Sequence, residues 1–274
     1  MPLRATSTTI RSLDGLQLAG TVVTPDGTPE RAVVLVHGGG VTREEGGFFT
    51  RLAAGLGDAG VASLRFDLRG HGESEGRQEE LTLSAILNDI RVALTHVQAA
   101  TGTSKTSLLG ASFTGGLCAY YAAKCPDEVA RLVLLNPQLD YKKRTVDNRH
   151  YWSNDYLDHE VAQLLTEQGY IDFTPSFKHG RALLNEVFWI KSHLVLGEIA
   201  APTLIVHGTK DTFVPVKSSR TANLQLQVEH KLVEIEGAQH GFAVHEDPQY
   251  LNPQSQEWQA FVIRTVAEWI TESA

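Results

Sequence analysis

Six short runs of aliphatic and β-branched residues constrain this chain more than any other feature. They are Ala32 to Val36, Val61 to Asp67, Thr106 to Ala111, Arg131 to Leu135, Thr203 to His207 and Lys231 to Ile235. Most are apolar without alternation, and a strand that is apolar on both faces needs cover on both. The intervening segments can supply that cover. Leu83, Ile86, Leu87, Ile90, Leu94 and Val97 fall on one helical stripe, as do Trp258, Phe261, Val262, Val266 and Trp269. A third helix is expected over Phe113 to Lys124, directly after a strand. With an N-terminal hairpin ahead of them (Thr6 to Arg11, Leu16 to Val23), these elements predict an α/β fold: a mostly parallel sheet with helices on both faces.

One stretch breaks the alternation. Between Gln138 and Ala200 lie 63 residues with no convincing strand, holding 9 of the chain's 21 aromatics. That is too long for a plain connection, so a helical cap is expected over 138–200, inserted into a core of 1–137 and 201–274. Its expected helices are Asp155 to Gln168 and Gly180 to Trp189.

Charge and cysteine content narrow the class. Twenty-four Lys and Arg against thirty-two Asp and Glu give a net charge of −8, which argues against a nucleic acid or an anionic membrane as partner. Two cysteines, Cys118 and Cys125, spaced on one face of the expected helix, cannot make a disulfide scaffold. The start, Met1-Pro2-Leu3-Arg4, lacks the pattern of a signal peptide, and no run of eighteen apolar residues occurs; a cytoplasmic protein is expected.

The chemistry gathers at strand ends. Leu108-Leu109-Gly110-Ala111-Ser112-Phe113-Thr114-Gly115-Gly116 runs a strand into a serine among small residues and then into a helix, the composition of a nucleophile elbow. The usual G-x-S-x-G pattern is broken at Thr114, with glycine one residue later. Val36-His37-Gly38-Gly39-Gly40 ends another strand in glycines that leave backbone N–H groups unobstructed. Asp211 follows the strand ending at His207, and His240 sits in Gly237-Ala238-Gln239-His240-Gly241 after the last strand. Taken singly, Asp211 reads as a turn residue and His240 as a loop histidine. Together with Ser112 they follow the chain order Ser, Asp, His at the carboxyl ends of three strands, which converge on one crevice in an open parallel sheet.

On these residues the sequence resembles the α/β-hydrolase superfamily, and within it serine esterases of the cinnamoyl and feruloyl type and the serine aminopeptidase-like group. Asp67-Leu68-Arg69-Gly70-His71-Gly72-Glu73-Ser74 is similar to that superfamily's D-x-R-G-x-G-x-S loop. The resemblance implies a catalytic triad of Ser112, Asp211 and His240, an oxyanion hole from the backbone N–H groups of Gly39 and Phe113, and acyl transfer from a small or medium, apolar or aromatic ester. It implies no cofactor. Similar proteins also cleave thioesters and amides, transfer acyl groups or catalyse eliminations, and some hydrolase folds only bind ligands, usually after losing a triad member. The cap aromatics are the expected substrate contacts, Tyr141, Trp152, Tyr156 and Trp189 foremost, with Phe173 and Phe177 beside them; Asp140, Asp155 and His179 are candidates for a polar end.

Competing motifs are weaker. Gly55, Gly57 and Gly60 spell G-x-G-x-x-G, but ahead of a strand rather than between strand and helix, so Gly60 reads as a helix stop. The eleven histidines are dispersed and neither H-E-x-x-H nor C-x-x-C occurs, so no metal site is expected. His37 and His71 read as structural hydrogen-bonding groups in glycine-rich loops.

Overall fold

A computed structural model describes residues 3–245, 247 and 249–272. The chain opens with an antiparallel hairpin, β1 (Arg4–Arg11) and β2 (Gln17–Thr24), whose turn uses Gly15 at φ +98°. Then come β3 (Arg31–Val36), α1 (Phe48–Asp58), β4 (Val61–Phe66), α2 (Leu83–Thr101), β5 (Lys105–Ala111), α3 (Gly115–Lys124) and β6 (Leu132–Leu135). After an insertion the sheet resumes with β11 (Thr203–Gly208), α6 (Val216–Asn223), β12 (His230–Ile235) and α7 (Pro253–Thr271). Between β6 and β11 lie β7 (Trp152–Ser153), β8 (Tyr156–Leu157), α4 (His159–Gln168), β9 (Tyr170–Thr174), β10 (Phe177–Gly180) and α5 (Arg181–Glu186).

The eight sheet strands run in the order β1-β2-β4-β3-β5-β6-β11-β12, antiparallel in the first two pairings and parallel in the rest. The continuous apolar runs divide their residues between two cores. Val33 and Leu35 face α1 and α7, while Ala32, Val34 and Val36 face the side of α2 and α3. Each residue is buried because the pleat sends neighbours to opposite faces and both faces are covered.

The glycines of the false dinucleotide motif serve this packing. A Cβ on Gly55 would lie 2.3 Å from Ile263 Cγ2 of α7, one on Gly57 would lie 2.6 Å from Leu3, and Gly60 closes α1 at φ +79°.

The insertion departs from expectation: it is helical only in part. The helix begins at His159 rather than Asp155, because the Asp158 side chain caps the Val161 N–H at 2.9 Å. Asn154 and Asp155 instead take φ +51° and +66° and turn the β7–β8 hairpin, the left-handed geometry that Asn and Asp tolerate. A second hairpin, β9 with β10, turns at Pro175-Ser176, and α5 ends at Glu186 rather than Trp189. These strands of two to five residues are too short for a periodic signal, although Pro175-Ser176 between Phe173 and Phe177 carries turn chemistry. No helix among the described residues is long and apolar enough to cross a membrane.

Candidate active site

β5 ends at Ala111, and Ser112 takes φ +52°, a left-handed backbone conformation that is rare for a residue with a side chain. A single 3-10 turn, Ser112–Thr114, then leads into α3. One tight approach falls at the pattern's first glycine, and the others fall one and two residues beyond its last position. A Cβ on Gly110 would meet Cys118 Sγ at 2.6 Å, one on Gly115 would meet Pro137 at 2.6 Å, and one on Gly116 the Gln138 carbonyl at 2.4 Å. Thr114 is fully buried, and its hydroxyl lies 2.8 Å from the Val36 carbonyl and 3.1 Å from that of Ala111. The residue that breaks G-x-S-x-G therefore ties the elbow to β3.

Three strand ends bring Ser112, His240 and Asp211 into line. Ser112 Oγ lies 2.8 Å from His240 Nε2, and His240 Nδ1 lies 2.6 Å from Asp211 Oδ2. Asp211 Oδ1 accepts the N–H groups of Phe213 and Val214, each at 2.8 Å. Burial alone would raise the Asp211 pKa, but the hydrogen bonds of His207 and His240, with the Val214 N–H, hold it well below the ordinary carboxylate range. His207 is itself fixed, Nε2 to the Val214 carbonyl at 2.8 Å and Nδ1 to Ser219 Oγ at 2.7 Å. The His240 loop bends at Gly241, φ +71°, whose carbonyl accepts from Gln259 Nε2 of α7 at 2.9 Å.

The glycine loop after β3 passes beside the serine. A Cβ on Gly38 would crowd Ser112 Cβ at 3.2 Å, and one on Gly39 would clash with the Phe177 ring at 2.4 Å. Histidines brace this loop, as the sequence suggested. His37 donates from Nδ1 to the Gly38 carbonyl at 2.7 Å and accepts the Leu68 N–H at 2.9 Å, while His71 Nε2 accepts the Gly40 N–H at 3.1 Å. The D-x-R-G-x-G-x-S loop supplies the rest of the support. Asp67 holds Arg43, Arg69 bridges Asp89 and Asp14, and Ser74 Oγ donates to the Asp67 carbonyl at 2.7 Å. Gly72 is obligatory there, since its Cβ would stand 2.3 Å from Asp67 Oδ2.

Glu45 was not singled out by sequence. It takes φ +45°, and its Oε1 accepts the Gly38 N–H at 2.5 Å. Burial of the carboxyl raises its pKa, against which the Gly38 N–H and the nearby His240 both act. Only the strained backbone marks this residue, and one sequence cannot reveal that.

The four aromatics expected to contact substrate are not gathered above Ser112. Tyr141 is buried beneath the elbow and donates its hydroxyl to the Phe113 carbonyl at 2.6 Å, packed where a Cβ on Gly116 of α3 would collide with it. Trp152 packs on Phe188 and, with Tyr156, lines a cavity of about 210 Å³ inside the insertion. Tyr156 and Trp189 are 78% and 79% exposed, as their hairpin and helix end face outward. Other rings stand nearer: Phe213 on His240, Phe113 next to Ser112 in the chain, and Phe177 and Phe173 in turn beyond Phe113. Phe213 stacks on His240 at 5.3 Å, Phe177 meets Phe113 edge-on at 4.9 Å, and Phe173 stacks on His179 at 4.2 Å. His179 is fully buried with neither ring nitrogen hydrogen-bonded, and burial lowers its pKa to about 3. Asp155 pairs with Lys142 at 2.8 Å, and Asp140 lies on the wall of a cavity of about 360 Å³ that also includes Phe213. Cys118 is buried and its thiol pKa is raised, which removes it as a nucleophile.

The sequence profile of the serine aminopeptidase, S33, family matches residues 27–248. A monoacylglycerol lipase of Mycolicibacterium smegmatis is 28% identical over 236 residues, 75% of this chain and 79% of that protein. Proline iminopeptidase PfmaB of Pestalotiopsis fici is 27% identical, covering 86% of this chain and 93% of that one. Among solved structures, Est1E from Butyrivibrio proteoclasticus with bound ferulic acid superposes with a TM-score of 0.76 at 23% identity, over 95% of this chain and 100% of the other, a likeness of fold. With an eight-stranded, mostly parallel sheet flanked by helices and a family match over most of its length, the chain belongs to the serine aminopeptidase, S33, family of α/β hydrolases.

Proposed function

We propose that the protein is a serine hydrolase that transfers the acyl group of a small or medium carboxylic ester to water through an acyl-enzyme on Ser112. The observation that carries this reading is the hydrogen-bonded line from Ser112 through His240 to Asp211, with Ser112 at positive φ. In it, His240 removes the serine proton as Ser112 attacks the carbonyl carbon, then returns a proton to the leaving alkoxide. Asp211 fixes the Nδ1–H tautomer and stabilises the imidazolium that forms. Water, deprotonated by the same histidine, releases the acid.

The oxyanion is assigned to the backbone N–H groups of Gly39 and Phe113. Phe113 opens a helical turn, where N–H groups have no intrahelical acceptor, and Gly39 belongs to the loop held by His37, His71 and Glu45. Losing one such donor costs about 3–4 kcal/mol of transition-state stabilisation. Residues 1–137 and 201–274 form the catalytic core in this reading, and 138–200 the cap that closes over it. The lipase relative and the ferulic acid-binding structural neighbour favour an ester with an apolar or aromatic portion.

The test is release of p-nitrophenol from short acyl esters, together with labelling by a fluorophosphonate. Wild type is expected to turn over and to label at Ser112, and Ser112→Ala to do neither. Equal activity of the two proteins would sink the proposal.

A further inference from the structure

A closed chain of contacts runs from Ser112 back to its hydroxyl, and one member of the chain is a cation. Phe113, next to Ser112, faces His179 at 6.3 Å, and His179 stacks on Phe173 at 4.2 Å. The Arg144 guanidinium lies 5.6 Å from the Phe173 centroid and 5.7 Å from that of Phe213. Phe213 stacks on His240, which returns to Ser112. A single aromatic ring thus separates the guanidinium from the imidazole.

Arg144 is poorly compensated. Among the described residues no carboxylate forms an ion pair with it, whereas Arg43, Arg65 and Arg69 elsewhere in the interior all have acidic partners. A second guanidinium on the same ring makes matters worse. Arg149 covers the same Phe173 ring at 4.2 Å, likewise without an ion pair, and its Nε is buried with no hydrogen-bond partner. Burial and Arg149 both lower the Arg144 pKa, opposed only by the charge of Asp211. Two half-buried guanidinium groups side by side are costly unless an anion joins them.

The space for that anion adjoins them. The cavity of about 360 Å³ between the start of the insertion and α6 is walled by Arg144 and Phe213, with Lys143 and Lys217 on the same wall set. Neither lysine has an ion-pair partner among the described residues, and the only carboxylate in the lining is Asp140, which His193 approaches at 3.7 Å. Three cations against one acid make the cavity electropositive in a chain whose net charge is −8.

We propose that the ester substrate carries a carboxylate remote from the bond that is cleaved, and that Arg144, with Lys143 and Lys217, holds it in this cavity. The inference rests on the serine hydrolase reading and narrows it: the apolar part of the substrate lies against Phe213 and Phe173, and the charge lies beyond them. Arginine suits the task because its planar fork matches a carboxylate with two parallel hydrogen bonds.

The experiment compares kcat/KM for paired esters that differ only in a free or methyl-capped carboxylate. One pair carries it on the acyl side (mono-p-nitrophenyl glutarate), the other on the alcohol side (4-acetoxybenzoate). Preference for the free carboxylate by about tenfold or more in one pair is expected, the value of a charge-assisted hydrogen bond. Arg144→Gln is expected to bring that ratio toward one, with Lys217→Ala reducing it in part should the first variant fail to fold. In parallel, calorimetry on Ser112→Ala with monomethyl glutarate against dimethyl glutarate reads binding without chemistry, and tighter binding of the free acid is expected. Ratios near one in both pairs, or a preference untouched by both substitutions, would overturn the assignment. Absence of turnover and of a fluorophosphonate adduct, with anion-selective binding intact, would instead refute the hydrolase reading and leave the carboxylate site standing.

Discussion

Glu45 offers the sharpest test of how the glycine loop is held. Its carboxyl accepts the N–H of Gly38, the residue immediately before the proposed oxyanion donor Gly39, and Gly38 packs directly against Ser112. Glu45→Ala leaves that N–H without its acceptor, a cost of about 1–3 kcal/mol that the loop can escape only by moving. Movement there misplaces a donor whose full loss is worth about 3–4 kcal/mol. A partial loss of about 1.5–3 kcal/mol corresponds to a fall in kcat of roughly 10- to 100-fold, with KM changed by less than about threefold. Glu45→Gln keeps an oxygen in the same place and is expected to stay within about fivefold of wild type. Glu45→Gly relieves the left-handed backbone, worth about 1–2 kcal/mol, so it should be more stable than the Ala variant yet equally slow. Steady-state kinetics with a p-nitrophenyl ester and urea unfolding of all three variants read both axes. Unchanged kcat in a folded Ala variant would refute the reasoning. A Gln variant as slow as Ala would transfer the role from the accepting oxygen to the negative charge near His240.

Thr114→Val should lower stability by about 1–2 kcal/mol, read as a shift in denaturation midpoint at constant slope, because the buried hydroxyl loses the Val36 and Ala111 carbonyls. Thr114→Gly, although it restores G-x-S-x-G, should be no more stable than wild type. His179 has a folded-state pKa of about 3, below the ordinary value of 6.5, so the unfolded chain takes up its proton first. Its contribution is fully present above pH 6.5 and is lost as the pH falls toward 3, amounting to about 2 kcal/mol by pH 5. His179→Phe should therefore narrow the stability gap between pH 7.5 and pH 5 by about that much, and an unaltered gap would refute it. Gly55→Ala should cost about 1–3 kcal/mol by driving a methyl into Ile263, and Ile263→Ala in the same chain should recover part of the loss in a double-mutant cycle.

How far the molecule could be read in advance follows from the range of the interactions involved. Strand runs such as Val33 to Val36 and helical stripes such as Leu83 to Val97 are local patterns, and the structure places β3 and α2 over those residues. The Ser112, Asp211 and His240 positions were legible for a related reason: each follows its own strand, and parallel strands deliver their carboxyl ends to one edge. The glycine positions were legible only in part, because the displacement around Thr114 depends on what β3 and Pro137 present to the elbow.

Composition, hydrophobic pattern and motif order by themselves determined an α/β sheet covered on both faces and the three strand ends after which Ser112, Asp211 and His240 lie. They did so because backbone periodicity and strand-end position are encoded within a few neighbouring residues. Tertiary structure alone decided that the insertion folds into hairpins as well as helices, that Phe213 rather than Tyr156 or Trp189 stacks on His240, that Glu45 holds the Gly38 N–H, and that Arg144 lies over Phe213. Those outcomes rest on contacts between residues far apart in the chain, where burial and charge are set by the partner and not by the residue's own neighbours.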